Sequence, residues 1–266
     1  MTIFKDQRGM SLIEVMMAIL LLGVAIIPLF NLFEVSNTYT AVARHNVAAL
    51  NFAQEIMEEV KGMPYGQIGV AKGGDNDQIT LADETGSKNF KNYLIILTAG
   101  TGMGQVRKIT EYATDIRVAT IDPPWDTGKN PDDNSTYLIG KEDSIECGSW
   151  QIGQATGGGT STIMLAGYEN NSNNLYQGYK VKISGGKGQW QVRKVTDYNG
   201  STKVATVEKN WDTTPDSTSF YQLYRYPYTI EVKSPVNNLK KITVSVSYKV
   251  KEGEKKVELT TEKLNR

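Results

Sequence analysis

The chain is poor in the residues that usually announce chemistry. Its 266 residues contain one cysteine, Cys147, and one histidine, His45. A single cysteine excludes an internal disulfide, so packing alone must hold the fold together. A single histidine without a neighbouring nucleophile or a second metal ligand excludes the common triad and zinc arrangements, and His45 reads as a surface residue of a helix. Charge of one sign is also missing: 29 Lys and Arg balance 29 Asp and Glu. Nucleic acid is therefore not the expected partner. No nucleophile–base pair, metal spacing or cofactor loop is visible, so neither catalysis nor a cofactor is expected. Long apolar runs are absent too, with one exception near the N-terminus.

That exception runs from Val15 to Phe30, VMMAILLLGVAIIPLF, with no charge in it. Glu14 stands at its head. An ionised carboxylate at the rim of an apolar helix costs a few kcal/mol unless something compensates it, which marks Glu14 as a functional candidate. Lys5 and Arg8 precede the run and place the N-terminus on the cytoplasmic side, with the rest of the chain outside. About 20 apolar residues are needed to span a bilayer, and Met10 to Phe33 suffices. Pro28 removes one helical hydrogen bond and is expected to kink or locally open the helix. No small-x-small cleavage site follows the run, and the natural break lies before it, at Gly9/Met10.

Basic leader, Gly9, Met10-Ser11-Leu12-Ile13-Glu14 and the uninterrupted apolar run together resemble the prepilin class of signal. The resemblance implies that a prepilin peptidase cuts after Gly9 and that Met10 becomes a methylated N-terminus. Glu14, the fifth mature residue, would then neutralise the N-terminal amine of a neighbouring subunit during assembly. The family usually carries Phe where this chain has Met10. A plainer role for Glu14 stands beside this one: Ser11-Leu12-Ile13-Glu14 is also a capping box at a helix start, and the two roles can coexist.

Helical patterning continues from Val35 to Gly62. Tyr39, Val42, Asn46, Leu50, Ala53, Met57 and Val60 recur every three or four residues, and Gly62 and Pro64 are stop signals. The expected helix is about 50 residues long, far above the globular mean of about 11–12. It is apolar first and amphipathic second, the shape of a pilin N-terminal helix. Ala53 to Val60 ahead of Pro64-Tyr65 resembles minor pilins and pseudopilins.

The middle of the chain is duplicated. Residues 105–126, QVRKITEYATDIRVATIDPPWD, and residues 191–212, QVRKVTDYNGSTKVATVEKNWD, are identical at 11 of 22 positions. Tyr93-Leu94-Ile95 parallels Tyr179-Lys180-Val181, Gly100 and Gly102 parallel Gly186 and Gly188, and Tyr137 parallels Tyr221. Each unit spans about 70 residues, about 70–139 and 154–223. Short alternating runs broken by Gly, Asn-Gly and Pro-Asp predict antiparallel strands and hairpins. The pattern is similar to β modules of bacteriophage tail and other surface proteins, which implies no chemistry. Gly100 to Gly104 precedes a strand and lacks the Gly-Lys-Ser/Thr of a phosphate loop. Asp75, Asp77, Asp132 and Asp133 match no calcium-loop spacing and are read as turn caps. The recurrence of Arg107 with Arg193 and of Trp125 with Trp211 points to core packing and an ion pair or stacking contact, ahead of an aromatic ligand platform.

Tyr228–Lys233, Ile242–Val250 and Val257–Thr261 alternate as a three-stranded meander with one apolar face, resembling the last strands of minor pilins and pseudopilins. The expected fold is α+β: a long N-terminal pilin helix packed on a C-terminal antiparallel β-meander, with two tandem all-β modules inserted between them. The expected segments are a leader over 1–9, the helix over 10–65, β modules over 66–145 and 146–223, and the C-terminal sheet over 224–266.

The function this organisation implies is a minor pilin or pseudopilin of a type IV pilus or type II secretion-like filament, without enzymatic activity. Its partners would be other pilin subunits, prepilin peptidase, platform proteins and the cytoplasmic membrane, which Val15–Phe33 would enter before assembly at the cell surface. An alternative is an adhesive or ligand-binding pilin whose duplicated modules contact a partner.

Overall fold

The computed structural model describes residues 11–83, 88–141, 150–251 and 253–265. Two compact units divide the chain, Met1–Val47 and Ala48–Arg266. One helix, α1 (Leu12–Gly62), begins in the first and ends in the second. Within the first unit its side chains are largely exposed, including Leu12, Leu20, Phe30 and Phe33. The helix continues through Pro28.

The second unit begins with the last turns of α1. Ala49, Phe52, Ala53, Ile56, Met57 and Val60 are buried. Their i, i+3, i+4 spacing forms a stripe wider than a single-partner seam requires. The sequence pattern placed Ala53, Met57 and Val60 correctly. It also put Tyr39 and Asn46 on the stripe, which are exposed, and it missed Phe52 and Ile56. The helix ends at Gly62, and a 3-10 turn, Tyr65–Gln67, follows Pro64.

Three antiparallel sheets follow. The first, module 1, comprises β1 (Ile68–Val70), β2 (Gly73–Asp75), β3 (Gln78–Thr80), β4 (Tyr93–Ala99), β5 (Val106–Ala113), β6 (Val118–Asp122) and β7 (Thr136–Lys141), in the order β1-β7-β4-β5-β6-β3-β2. Module 2 comprises β8 (Trp150–Gln154), β9 (Gly157–Gly159), β10 (Thr162–Met164), β11 (Lys180–Gly185), β12 (Val192–Asn199), β13 (Val204–Val207) and β14 (Phe220–Tyr224), in the order β8-β14-β11-β12-β13-β10-β9, the same topology strand for strand. Even the irregularities repeat. Register shifts at Leu97/Ala99 and Ile109/Glu111 recur at Ile183/Gly185 and Val195/Asp197. Such bulges bend and twist a strand, and bending lets a single sheet enclose its own core. Ile95, Leu97, Ile109, Trp125 and Tyr137 lie inside module 1, and Val181, Ile183, Val195, Trp211 and Tyr221 lie inside module 2.

The third sheet is the meander β15 (Tyr228–Val236), β16 (Leu239–Val250) and β17 (Gly253–Leu264). Ile242, Val244, Val246 and Tyr248 of β16 share the core of the α1 stripe, and Phe52 meets the Tyr226 and Tyr228 rings at 5.9 and 6.1 Å. Module 1 adds a second wall that the sequence did not lead us to expect. Alternation along its strands sends Leu94, Ile96, Val106 and Leu138 away from the module's own core and into that of the helix. The corresponding positions of module 2 are Lys180, Lys182, Val192 and Gln222, and of its outward residues Ile152 and Phe220 reach this core.

Two lysines of the C-terminal sheet close the helix end. Lys263 Nζ donates to the Lys61 carbonyl at 2.5 Å, where the carbonyls of a last turn have no intrahelical donor. Lys240 is fully buried and donates to the Tyr65 and Ile68 carbonyls at 2.8 and 2.5 Å, with its ammonium 3.8 Å from the Tyr65 ring centroid. Replacing it removes a charged donor from two buried acceptors. Lys240→Met is expected to lower stability by about 2–3 kcal/mol. Denaturant unfolding of the detergent-solubilised chain measures this, and an unchanged midpoint would refute it.

Candidate functional site

Of the residues proposed for processing and assembly, Gly9 and Met10 lie outside the described residues. Glu14 is exposed in the first turn of α1. Ser11 immediately precedes the helix, and its carbonyl accepts from the Val15 N–H at 3.2 Å and the Glu14 N–H at 2.9 Å. A carboxylate in a first turn lies at the positive end of the helix dipole. Directly after it comes a stretch with mean hydropathy 2.6 over 18 residues, none of them buried. An exposed surface so apolar requires a bilayer or other protein around it.

The second constellation is the repeated arginine. In module 1, Arg107 Nη2 donates to Gln105 Oε1 at 2.8 Å and to Asp126 Oδ1 at 3.0 Å, and Nε donates to the Pro124 carbonyl at 3.0 Å. Its guanidinium lies 5.5 Å from the centroid of Trp125, whose indole N–H donates to the Gln78 carbonyl at 3.0 Å. Module 2 repeats this with Arg193 on Asp212 at 2.9 Å, on the Asn210 carbonyl at 3.0 Å and 5.5 Å from Trp211. In both copies the glutamine two residues before the arginine accepts the backbone N–H of the aspartate. Gln-x-Arg and Trp-Asp therefore form a clasp that joins the start of one strand to the turn after the next. The sequence-based expectation of an ion pair and stacking contact holds, and the tryptophans face the core rather than a ligand.

The two clasps differ in surroundings. Arg107 is 1% exposed and Asp126 17%, because module 2 packs on them. Arg107 Nη1 donates to the Ser184 carbonyl at 2.9 Å, and Asp126 accepts from Gln189 Nε2 at 2.8 Å and Trp190 Nε1 at 2.7 Å. Burial lowers the Arg107 pKa to about 10 against the opposing pull of Asp126. Arg193 is 11% exposed and Asp212 71%.

Lys182 lies at the same junction, 4.6 Å from the Trp190 centroid, with Lys129 at 4.7 Å from that ring. Desolvation, then Lys129, lowers the Lys182 pKa to about 8.

The Asp-rich turns act as caps. Asp132 accepts from Thr101 Oγ1 at 2.6 Å, the Asn134 N–H at 3.0 Å and Ser135 Oγ at 3.1 Å, and these bonds lower its pKa, Thr101 first. Asp216 does the same with Thr218. Asp75 accepts from the Asn76 N–H. Among the described residues no group of three or more His, Cys, Asp and Glu is placed to hold a metal. Gly100, Gly102 and Gly104 all have positive φ in the turn between β4 and β5, a conformation that favours glycine.

Sequence reasoning missed Glu169. It is buried in module 2 and accepts from the Tyr176 and Tyr221 hydroxyls at 2.6 and 2.5 Å. Burial first, then the Glu169 charge, raises both tyrosine pKa values. Module 1 has Phe90 where module 2 has Tyr176, so the Tyr176 hydroxyl has no counterpart there. That Phe-to-Tyr difference was the available signal.

Residues 4–30 match the model of the prokaryotic N-terminal methylation motif. No curated protein and no solved structure matches the chain. The motif and the long apolar helix that continues from it are consistent with a type IV pilin-like protein, processed by a prepilin peptidase and anchored in a membrane.

Two expectations follow from the junction. Arg107→Ala removes a buried guanidinium from half-buried Asp126, which keeps only its Gln189 and Trp190 donors, and is expected to cost about 3 kcal/mol, whereas Arg193→Ala breaks a pair with an exposed partner and costs about 1 kcal/mol. Equal losses in denaturant unfolding would contradict the asymmetry. Lys182 has a folded-state pKa below its unfolded value, so folding disfavours its proton. The cost is fully present below pH 8 and disappears as pH rises from about 8 to 10.5. Lys182→Met is expected to stabilise the chain by about 1–3 kcal/mol at pH 7, with the gain shrinking toward pH 10. A gain independent of pH would reject that origin.

Proposed function

We propose that the chain is a structural subunit, a minor pilin or pseudopilin, of a type IV pilus or type II secretion-like filament. The observation that carries this reading is the continuity of the methylation motif over residues 4–30 with a helix whose apolar side chains are uncovered. Lys5 and Arg8 hold the leader on the cytoplasmic side. Cleavage after Gly9 frees the amine of Met10. Glu14 of an incoming subunit then pairs with the amine of a neighbour, and the helix moves from bilayer to filament core. Neutralising the carboxylate with that amine offsets the cost of placing it among apolar helices. A mass of 29.4 kDa carried largely by the two modules and the C-terminal sheet favours a minor subunit, because many copies would crowd a shaft.

A second reading gives the modules a partner-binding role. It is favoured by the outward face of module 2, where Lys180 and Val192 are exposed at positions equivalent to buried Leu94 and Val106 in module 1.

Gly9→Leu is expected to block cleavage, and Glu14→Ala to leave cleavage intact while reducing incorporation into filaments. N-terminal sequencing and quantification of the chain in sheared filaments test both. Mature protein starting at Met10 from the first variant, or normal incorporation of the second, would overturn the respective role.

A further inference from the structure

We propose that the Arg193–Asp212 face of module 2 is a docking site for a β-turn of a different polypeptide in the same surface assembly. The inference rests on the filament reading above and deepens it by assigning a partner surface. Its basis is that the chain contains two copies of this face, and one is occupied. On module 1, the end of β11 seats a main-chain carbonyl, that of Ser184, on Arg107, and the turn from β11 to β12 brings two side-chain N–H donors, Gln189 and Trp190, to Asp126. The face thus recognises a turn that offers one acceptor beside two donors.

Module 2 holds the same donor and acceptor in the same posture, and among the described residues no turn is seated on them. Arg193 is fixed by Asp212, by the Asn210 carbonyl at 3.0 Å and by the Val192 carbonyl at 3.0 Å. The guanidinium is therefore pre-organised, and its ordering cost is already met within the module. Asp212 is 71% exposed, whereas its counterpart Asp126, under the seated turn, is 17% exposed.

A second copy of this chain is a poor occupant because both of its equivalent turns are engaged: the β11–β12 turn on module 1, and the β4–β5 turn through the Gly104 carbonyl, which accepts from Lys182 and Gln222. The occupant is therefore a turn supplied by another protein.

The test uses the full chain in cells, with p-benzoylphenylalanine at Asn210, an exposed residue whose carbonyl accepts from Arg193, for photo-crosslinking, together with carbodiimide labelling of carboxylates in sheared filaments and in the detergent-purified subunit. Asp212 is expected to be labelled in the purified subunit and to lose that labelling in filaments. Asp126 should stay protected in both, and exposed Glu231 labelled in both. The crosslink should map to a β-turn of a different polypeptide, and Asp212→Asn should abolish it. Equal labelling of Asp212 in both samples would show that the clasp is internal to the module and sink the proposal. A crosslink to a second copy of this chain would overturn the choice of partner. Absence of the chain from filaments would instead refute the assembly reading, so the two failures are distinguishable.

Discussion

The last turns of α1 bury one stripe against two sheets at once, and neither sheet alone can close it. Ile56 and Val60 are fully buried between β16, with Ile242, Val244 and Val246, and the outward face of module 1, with Leu94, Ile96 and Val106. Burying such a side chain contributes about 1.5–3 kcal/mol each. In a chain with no internal disulfide available, that contribution sets how firmly the helix is held. The seam is reinforced by polar bonds at its edges. Thr98 Oγ1 donates to the Ile230 carbonyl at 2.7 Å, and the Val232 N–H donates to Thr136 Oγ1 at 3.2 Å, so β15 is tied to module 1 as well as to β16.

Duplication has therefore produced two copies with different duties. The residues facing inward were kept nearly in register, with Tyr137 and Tyr221 each donated to by the backbone N–H of Ala82 and Ala166 at 3.0 Å. The residues facing outward diverged. Module 1 shows Leu, Ile, Val and Leu to the helix, and module 2 shows Lys, Lys, Val and Gln at the same places. One copy has become a wall of the pilin-like body, and the other keeps a mostly polar exterior over a self-contained core.

Much of this was legible in the residues. The run after Glu14, the stop at Gly62 and Pro64, and the alternation of Ile242, Val244 and Val246 give the helix and the last sheet directly, because each is a local pattern. The duplication gives the clasp, since Arg107 with Trp125 and Arg193 with Trp211 recur at fixed separation. Two features escaped because they depend on contacts far apart in sequence. The helix stripe was centred one position away from Phe52 and Ile56, since its width is set by a second wall that the helix pattern does not encode. The burial of Glu169 arises only where Tyr176 and Tyr221 converge across a folded sheet, and a lone glutamate between two tyrosines carries no spacing signature.

The order of segments along the chain carries a consequence for synthesis. Module 2 draws its core from residues 155–223 alone, so it can condense as soon as that stretch has been made. The stripe on α1, made first, waits for β16, made almost last, and Lys263 reaches back to Lys61 over a separation of 202 residues. Contacts of such separation form late, because loop closure must be met before they contribute. During synthesis the apolar stripe from Ala49 to Val60 stays uncovered until the final strands arrive, so the terminal sheet acts as the latch of a fold whose middle is already set.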